Sequence, residues 1–593
     1  MNERPIGRDV KFRDRFSRLI SLGDRNNPAS WSPGLIISDE DPTFPVSIAP
    51  LLCIKDPSEI PPSMEIKTRD NLCFPFESKE TWSVTNGLVL PPSLAESDSG
   101  DFGHGIEAIP VSWNSLHHDK SLLQLEYPPS LLILTDSPQL AKNSGMLEKA
   151  LLTLRTTFPG SLIWTPGIAG PDNCALLSWM GVDIFDFSRS RMASSMGVLL
   201  TESGPRKVEP TTNEDSSLES QARCWVAAIS ATRSAIRDGT LRELAERQST
   251  SSPNSVAHLR RHDALTFEIS SKIGVSQSVA ENGKKMRCHS FESRNDSTIR
   301  EWREKISETY SPPKHQKELL VLLPCSARKP YKLSQSHARF RRVIRDKRAH
   351  EIMVTAPLGL VPRELEDLWP AAHYDIPVTG DWDHDELEII REMVLKLVNR
   401  IGYKSIVNHS GVEISVKGTE VTDTRMGDPA GSADSLTRLK NAIDSAISKT
   451  KELPSDYHFR YEVMKSISRF HLGSDEWLEG CSVRGRPPIL TITKDGTQFA
   501  KWNPRSGRFS LSKSSLGLMM ELDALKVVQL RSDVDWVGDI FPSFVQYFDP
   551  RIKIGDELLI IQDERLLGSA RAIASGWEWP HGPGKLAKSR HRL

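Results

Sequence analysis

The chain has 593 residues, too many for one hydrophobic core, so its length predicts several domains. A hydrophobic content of 38% and a charged content of 26% are typical of a soluble globular protein. The formal net charge of -1 argues against a uniformly basic nucleic-acid binder, although it is compatible with a local basic patch.

The cysteines and the first residues narrow the class further. The seven cysteines include no CxxC pair, which argues against a structural zinc site or a disulfide framework and indicates a reducing cytoplasm. The opening stretch MNERPIGRDVKFRDRFSR is polar and charged, unlike a signal peptide, and no apolar run approaches membrane-spanning length. We therefore expect a cytoplasmic protein with no metal and no membrane segment.

Residues 1–272 contain a regular alternation of apolar strands and helical stretches. Strand, helix, strand, helix and strand are predicted in that order at Ser130–Asp136, Met146–Thr157, Ser161–Gly167, Ala175–Met180 and Gly181–Phe187. This order predicts a parallel α/β layer, and repeated units of this kind suit a barrel. Amphipathic helices are predicted over 221–248.

The middle of the chain is predicted to hold a second α/β domain. Residues 273–298 are polar and weakly patterned, which is typical of a linker. Residues 299–452 again alternate helices and strands, and we predict a doubly wound, three-layered α/β core. Residues 453–520 predict a small α+β domain, in which Lys494-Asp495-Gly496 marks a hairpin turn.

The last segment, 521–593, consists mostly of short predicted strands, including one at Val537–Phe541, and ends in the basic sequence GKLAKSRHRL. This pattern favours a small β-barrel with a basic edge that binds a nucleic-acid backbone. The cations in question are Lys585, Lys588, Arg590 and Arg592. The alternative is a solubilising tail.

Reactive side chains are concentrated directly after one apolar strand. The run 319–323 ends at Pro324, and Cys325 follows at the strand end, where a thiol can be exposed on a rigid backbone. Nearby cations lower a thiol pKa, and Lys329 and His337 follow within the same stretch. The alternative is that Cys325 is a core residue at a strand end, with the two cations contacting phosphates.

The other polar residues of this stretch complete a candidate site. Ser334 is a plausible N-cap of the helix that follows, and the N-terminus of that helix could hold an anion. We predict that Ser334 and Ser336 act in catalysis with Cys325, Lys329 and His337, and that Ser326 and Tyr331 bind substrate. Residues 325–334 are called the cysteine loop below.

A second polar stretch, residues 356–383, is called the carboxylate segment. Loops after adjacent strands of a doubly wound sheet face one crevice, so its acids could hold an amine nucleophile or relay protons. The candidate substrate-binding residues are Glu364, Glu366, Asp375, Asp381 and Trp382. For the two glutamates, the alternative is that they only favour a helix N-terminus through its dipole.

Both stretches resemble one known family. PCSARKPYKLSQSH, residues 324–337, resembles the signature of the archaeosine synthases, which are archaeal tRNA-modifying enzymes, and PLGLVPRELEDLWPAAHYDIPVTGDWD, residues 357–383, resembles their second block. The last segment, with GDELLI at 555–560, resembles a PUA domain, an RNA-binding β-barrel. WTPGIAGPDNCALLSWMGVDIFDFSRSRMASSMG, residues 164–197, resembles the barrel of tRNA-guanine transglycosylases.

The transglycosylase part departs from its pattern. Asp186 matches the position of the transglycosylase nucleophile, but only Cys224 is present where those enzymes carry a CxCxxC plus His zinc site. The nearest text to their DSG-F-Q motif is SDSGDFG, Ser97–Gly103, without the glutamine. The resemblance therefore predicts a multidomain α/β protein whose first domain is a degenerate TIM-like barrel that no longer exchanges bases, although exchange through Asp186 remains the alternative.

The resemblance also implies a reaction. The substrate would be tRNA carrying 7-cyano-7-deazaguanine at position 15, the co-substrate free lysine, and a radical S-adenosylmethionine lyase would act next; no cofactor is implied, and a homodimer is compatible with the sequence. We expect Cys325 to attack the nitrile and the lysine amine to displace it, with Lys329 or His337 moving protons. The alternatives are a reaction without a covalent step, and a non-catalytic scaffold that presents tRNA to the radical enzyme.

Overall fold

The computed structural model describes residues 8–23, 26–38, 41–53, 63–67, 81–85, 108–123, 125, 128–143, 145–280, 284–378, 382–447 and 453–593. They form two compact units. The first unit comprises residues 1–276, 533–553 and 572–588, and the second comprises residues 277–532, 554–571 and 589–593. No helix in the described ranges is long and apolar enough to span a bilayer.

The first unit is built from short strands and mostly short helices. Its strands before residue 276 are β1 (Arg8–Asp14), β2 (Ser17–Gly23), β3 (Pro28–Ser32), β4 (Gly34–Ser38), β5 (Leu51–Cys53), β6 (Ser63–Lys67), β7 (Thr81–Thr85), β8 (Ala108–Val111), β9 (Leu131–Leu134), β10 (Leu162–Trp164), β11 (Ile184–Asp186), β12 (Val198–Thr201) and β13 (Gly204–Lys207). Its helices are α1 (Trp113–His118), α2 (Lys120–Leu123), α3 (Ser137–Lys142), α4 (Met146–Thr157), α5 (Cys174–Trp179), α6 (Ser188–Ser195), α7 (Leu218–Asp238), α8 (Leu241–Ser249) and α9 (Pro253–Ser270).

A six-stranded, all-parallel sheet organises this unit. Its strand order is β5-β4-β11-β10-β9-β8. Along the chain, β4 is followed by its neighbour β5, β8 to β11 are successive neighbours, and β11 returns to β4, which is the circular order of a barrel. The predicted motif at Ser97–Gly103 and most of the chain between β5 and β8 lie outside the described residues, so a closed transglycosylase-like barrel stays a prediction.

The remaining strands and helices follow in chain order. The strands are β14 (Met286–Arg287), β15 (Leu319–Pro324), β16 (Ala349–Thr355), β17 (Gly359–Pro362), β18 (Tyr374–Asp375), β19 (Ser405–Asn408), β20 (Glu420–Asp423), β21 (Ser482–Arg484), β22 (Leu490–Lys494), β23 (Thr497–Asn503), β24 (Arg508–Leu511), β25 (Val527–Leu530), β26 (Val545–Phe548), β27 (Glu557–Gln562), β28 (Arg565–Ala572) and β29 (Ala587–Arg592). The helices are α10 (Ser297–Glu304), α11 (Gln335–Val343), α12 (His384–Ile401), α13 (Ala433–Ile447), α14 (Asp456–Leu472) and α15 (Lys513–Glu521).

The second unit contains a three-layered α/β core. The sheet order is β17-β16-β15-β19-β20, and only β17 is antiparallel to its neighbour. Side chains alternate along β15 because successive residues of a strand point to opposite faces. Leu319, Val321 and Leu323 pack with α11 and α13, whereas Leu320 and Leu322 pack in the core that includes α12. Helices thus cover both faces, as the doubly wound prediction requires.

The chain order creates a crevice at the end of β15. From β15 the chain passes through α11 to β16 on one side, and after β17 it returns through α12 to β19 on the other side. Such a reversal of strand order leaves a crevice at the carboxyl ends of the strands, which is where ligands bind in open α/β sheets. Cys325 is the first residue after β15.

The rest of the second unit is antiparallel or mixed. Strands β21 to β24 form an antiparallel sheet, and the predicted hairpin is confirmed, with Asp495 at φ 49° and Gly496 at φ 79°. Positive φ at both central residues is the signature of a type I′ turn. In the part of the first unit formed by residues 533–553, the strand predicted at Val537–Phe541 is wrong, because only Ile540 forms an isolated bridge there. The barrel-like PUA domain and the division into four domains and a linker stay predictions.

Candidate functional site

A cavity of about 580 Å³ opens beside Cys325 in the second unit. It is called the Cys325 cavity here. Its walls come from the ends of β15 and β16, the loops after β19 and β20, the start of α12 and the segment before α10. Apolar and aromatic side chains such as Phe291, Ile376 and Trp382 line it together with the charged residues Arg294 and Arg425. An apolar cavity with a few polar groups is the usual form of a small-molecule site.

Cys325 is a half-buried, unpaired cysteine in this wall. Burial raises the pKa of its thiol, while a hydrogen bond with Thr355 and the charge of Lys329 oppose that shift. The resting thiol is therefore protonated at neutral pH, and it needs a nearby base to become a nucleophile.

Lys329 can supply that base. Burial lowers the pKa of its ammonium group, and the charges of Cys325 and Asp375 oppose the shift. Its Nζ lies 4.0 Å from the centroid of the Tyr374 ring and makes no hydrogen bond within the described residues. The lowered pKa of Lys329 increases the share of neutral amine that can accept a proton, whereas the raised pKa of Cys325 makes the thiol a weaker acid, so the neutral thiol and neutral amine are the resting state and the proton moves only as the sulfur forms its bond.

A chain of hydroxyl groups supports this pair. Thr355, which bonds the thiol, has its Oγ1 2.6 Å from the hydroxyl of Tyr374, and that hydroxyl is in turn hydrogen-bonded to Tyr331. Burial raises the pKa of Tyr331 and of Tyr374, so both phenols stay neutral. Tyr331 is fully buried and does not line the cavity, which corrects its predicted role in substrate binding: it fixes Tyr374.

His337 takes a different place from the predicted one. Its side chain is fully buried, between Tyr331 and Phe340, and lies outside the cavity wall. Its Nδ1 accepts a hydrogen bond from Arg363 Nη2 at 2.9 Å. Burial, reinforced by the charge of Arg363, lowers the pKa of His337 to about 3, so the ring is neutral at physiological pH. The geometry supports a positioning role for His337, because the ring has no access to the substrate.

The three serines of the prediction are engaged in local hydrogen bonds. Ser334 is the N-cap of α11, as predicted, and its Oγ accepts from the His337 amide at 3.2 Å. Ser336 Oγ lies 3.2 Å from Ser334 Oγ, and Ser326 Oγ donates to the Arg328 carbonyl at 3.0 Å. None of the three belongs to the cavity wall. They shape the cysteine loop and the start of α11.

Glu364 is buried in a network away from the cavity. Tyr310 donates to Glu364 Oε1, Ser466 Oγ donates to the same oxygen at 3.1 Å, and His350 Nε2 lies 3.7 Å from Oε2. Although burial opposes it, the contacts with His350 and Tyr310 lower the pKa of Glu364. The predicted substrate-binding role of Glu364 is therefore corrected: its carboxylate accepts hydrogen bonds from Tyr310 and Ser466 inside the protein and does not face the cavity.

Glu366 connects the two polar stretches. Its Oε2 accepts from the Lys332 amide at 2.9 Å and from Arg363 Nη1 at 3.1 Å, and its side chain is buried. Arg363 is the same residue that bonds His337, so one ion cluster fixes both the cysteine loop and the start of α11. Glu366 holds the cysteine loop and does not reach substrate, which again corrects the prediction.

The remaining candidate residues of the carboxylate segment differ in where they lie relative to the cavity. Trp382 lines the cavity, and its role in substrate binding stays a prediction. Asp375 is exposed and does not line the cavity. Its negative charge opposes the lowering of the Lys329 pKa by burial. Asp381 lies outside the described residues.

Sequence reasoning missed a whole wall of the cavity. The stretch predicted as a linker contributes Cys288, Phe291 and Arg294, among others. It is anchored by β14, which pairs with β18 through Met286 and Tyr374. The sequence Cys-His-Ser-Phe at residues 288–291, within an otherwise polar stretch, is the local pattern that could have indicated a site there.

Comparisons with known proteins agree with the two sequence blocks. Residues 299–443 match a family model described as "Domain of unknown function (DUF5591)". An archaeosine synthase subunit alpha from Methanosarcina acetivorans is 28% identical over 645 aligned positions, which cover 98% of this chain and 99% of that protein. An archaeosine synthase from Methanocaldococcus jannaschii is 28% identical over 71% of this chain and 72% of its own. The chain resembles archaeosine synthases. This confirms the resemblance inferred from the cysteine loop and the carboxylate segment.

A weaker likeness concerns part of the chain. A tRNA-guanine(15) transglycosylase from Methanothermobacter thermautotrophicus is 23% identical over 239 aligned positions, or 37% of this chain and 31% of that protein. Asp186, the candidate transglycosylase nucleophile, is fully buried at the end of β11. It accepts hydrogen bonds from Trp164 Nε1 at 3.0 Å and from the amides of Gly167 and Ser188 at 2.8 and 2.9 Å. These three donors hold the carboxylate at the end of β11.

The basic end of the chain forms a strand. Lys588, Arg590 and Arg592 alternate along β29 with more buried residues and are all exposed. Lys585 is paired with Asp539 at 2.8 Å. Three of the predicted RNA-binding cations are thus exposed on one strand, where Arg590 also lies 3.9 Å from Glu557 Oε1, and the fourth, Lys585, is held in the shorter ion pair.

The buried His337 predicts acid sensitivity of the second unit. The unfolded pKa is near 6.5 and the folded pKa is about 3, so the unfolded chain binds a proton that the folded chain rejects as pH falls below 6.5. Stability is retained above pH 6.5 and declines below it by about 1.4 kcal/mol per pH unit, down to the folded pKa. Urea unfolding at pH 7.5, 6.0 and 5.0 should show this contribution, and His337→Gln should reduce the slope by about that amount, leaving the part due to His471, whose pKa burial lowers to about 4. The matched control is His384→Gln, at an exposed histidine, and an equal slope in both variants would contradict the assignment.

Proposed function

We propose that this protein is an enzyme of archaeosine biosynthesis that adds lysine to the nitrile of 7-cyano-7-deazaguanine at position 15 of tRNA. The observation that carries the proposal is the pairing of Cys325 with Lys329: a thiol in the wall of the cavity lies beside an amine whose pKa is lowered and whose Nζ makes no hydrogen bond within the described residues. The names of the relatives that the chain resembles support the pathway.

The first chemical step forms a covalent intermediate. Lys329 takes the thiol proton of Cys325, and the thiolate sulfur attacks the nitrile carbon, so that a C–S bond forms and the triple bond becomes a C=N double bond. The nitrile nitrogen receives the proton from the Lys329 ammonium. The product of this step is a neutral thioimidate, and every proton is accounted for.

The second step transfers the carbon to the amine. The ε-amine of lysine attacks the thioimidate carbon, the C–S bond breaks, and the thiolate leaves with the proton that the amine loses, again by way of Lys329. The product is an amidine that carries the whole lysine. Thr355, which bonds the thiol, keeps Cys325 oriented through both steps.

The cavity offers a place for the base. A nucleotide must leave its stack before an enzyme can reach it, and extruded bases are held by stacking on aromatic side chains. Phe291 and Trp382 line the cavity, and Phe291 is 51% exposed. These two rings are our candidates for holding the deazaguanine.

One assay separates this function from its alternatives. Purified protein is incubated with nitrile-bearing tRNA and lysine, and the digested RNA is analysed by mass spectrometry for a nucleoside that has gained one intact lysine. Absence of that adduct with folded protein would refute the transferase. Exchange of labelled guanine into tRNA would instead favour a transglycosylase, and tRNA binding without either reaction would favour a scaffold for a radical S-adenosylmethionine lyase.

The remaining parts complete the proposal. We infer that the first unit is a transglycosylase-like barrel that no longer exchanges bases, that the last segment is a PUA domain which binds tRNA, and that the protein works in the cytoplasm. The burial of Asp186 and the three hydrogen bonds that its carboxylate accepts support the first inference. The exposed cations of β29 support the second.

Replacing the β29 cations should weaken tRNA binding in a salt-dependent way. Each cation that neutralises a phosphate contributes about 0.9 to the slope of log K against log salt. The triple variant Lys588→Ala, Arg590→Ala, Arg592→Ala should therefore lose about 2 to 3 from that slope. Lys585→Ala serves as the control, because Asp539 already neutralises Lys585. An unchanged slope in the triple variant would contradict RNA binding by β29.

A further inference from the structure

Arg425 is a cation of the cavity wall with neutral partners. It lies in the loop after β20, where its Nε donates to the Asp428 carbonyl at 2.9 Å and its Nη1 donates to the Ser410 carbonyl at 3.3 Å. Within the described residues, Arg425 forms no ion pair, and its Nη2 makes no hydrogen bond. Two carbonyl groups thus hold the guanidinium in place, while Nη2 keeps its hydrogens for an anion.

The other arginine of the wall is different. Arg294 pairs with Asp383 at 2.5 Å and with Glu386 at 3.0 Å, so its charge is already balanced by carboxylates. A half-buried guanidinium without a counter-ion is costly unless a ligand supplies one. Arg425 is therefore the better candidate for binding an anionic group inside the cavity.

The backbone next to Arg425 is adapted to it. Gly411 lies at φ +89°, and a Cβ built there would come within 2.2 Å of Arg425 Nη1. A glycine at this position both accepts the left-handed backbone and allows the guanidinium to approach the loop after β19. Gly411 thus leaves the space that the Arg425 side chain occupies, and the Arg425 guanidinium would bind the anion.

We propose that Arg425 binds the α-carboxylate of the amine donor, and so selects an amino acid over a simple amine. This inference rests on the proposed function. A guanidinium edge binds a carboxylate with two parallel hydrogen bonds, and Arg425 shares its cavity with Cys325, where the reacting amine must arrive. A tRNA phosphate is the other anion available, and the experiment separates the two.

Lysine binding can be measured without the reaction. The protein is saturated with tRNA that carries guanine at position 15, which has no nitrile, and lysine or lysinamide is titrated in a calorimeter. Wild type should bind lysine at least ~10-fold more tightly than lysinamide, since a hydrogen bond to a charged group contributes about 1.5–3 kcal/mol. Arg425→Gln should bind the two ligands equally and lose ~10- to 100-fold in lysine affinity.

Two further variants sharpen the test. Gly411→Ala should reproduce part of the loss by displacing the Arg425 side chain, whereas Arg391→Gln, at an exposed arginine that also bonds a carbonyl, should bind lysine as wild type does. Kinetics on nitrile-bearing tRNA should show a higher KM for lysine in Arg425→Gln, with the KM for tRNA unchanged.

Three results would overturn the inference: equal binding of lysine and lysinamide by wild type, unchanged lysine affinity in folded Arg425→Gln, or a loss confined to tRNA affinity, which would assign Arg425 to a phosphate. Wild-type protein that binds lysine through Arg425 but forms no adduct would refute the proposed reaction and leave the carboxylate site standing. The two failures are thus distinguishable.

Discussion

Cys325→Ala should reduce the rate of lysine adduct formation by ~10³-fold or more, while tRNA affinity stays the same. The reason is that the amine alone attacks a nitrile slowly, and the variant lacks the sulfur that forms the activated thioimidate. Single-turnover mass spectrometry of the RNA, with enzyme in excess, measures this rate without interference from product release.

Cys288→Ala is the matched control, since Cys288 lines the same cavity and is buried. We expect its rate to stay within a few fold of wild type. Undiminished turnover by Cys325→Ala would rule out the covalent mechanism and favour a cavity that only positions the nitrile.

Lys329→Met should reduce the same rate by ~10²- to 10⁴-fold, which is the usual contribution of a positioned acid or base. Methionine keeps the unbranched apolar stem over the Tyr374 ring but cannot move a proton. The matched control is Lys332→Met in the same loop, because Lys332 is held in an ion pair with Asp367, whereas Lys329 Nζ makes no hydrogen bond within the described residues.

The variant should also change the reactivity of the thiol. The Lys329 charge opposes the effect of burial on the pKa of Cys325, so removing it should raise that pKa further. Alkylation of Cys325 by iodoacetamide, followed by peptide mass spectrometry, should then require a higher pH in Lys329→Met than in wild type. An unchanged pH profile would show that Lys329 does not interact with the thiol.

Local patterns were enough to predict the elements that position the site. The apolar run of β15 is buried on both faces, and its abrupt end at Pro324 marked the strand end correctly. Helix α4 begins and ends where helix-forming residues predicted, at Met146 and Thr157, and the Lys-Asp-Gly turn identified its hairpin. These features depend on residues that are close in sequence.

The partners of the site residues depend on distant parts of the chain. Glu364 and His337 carry the residue types of catalytic groups, but Tyr310 and Arg363 occupy them in the fold. Arg425 had no local signal, since it reaches the cavity only because β19 lies beside β15 and β20 lies beside β19. The sequence pattern was sufficient to place Cys325 at a strand end beside a cavity, whereas the hydrogen-bond partners of the other site residues required the tertiary structure.

During turnover the Cys325 sulfur should become bonded to the nitrile carbon. The direct test is to incubate the protein with nitrile-bearing tRNA in the absence of lysine, quench it, digest both polymers, and locate the modified cysteine by mass spectrometry. We predict that the peptide containing Cys325 carries the deazaguanine nucleoside and that added lysine releases it. Attachment to Cys288, or lysine adduct formation with every cysteine unmodified throughout turnover, would contradict this account.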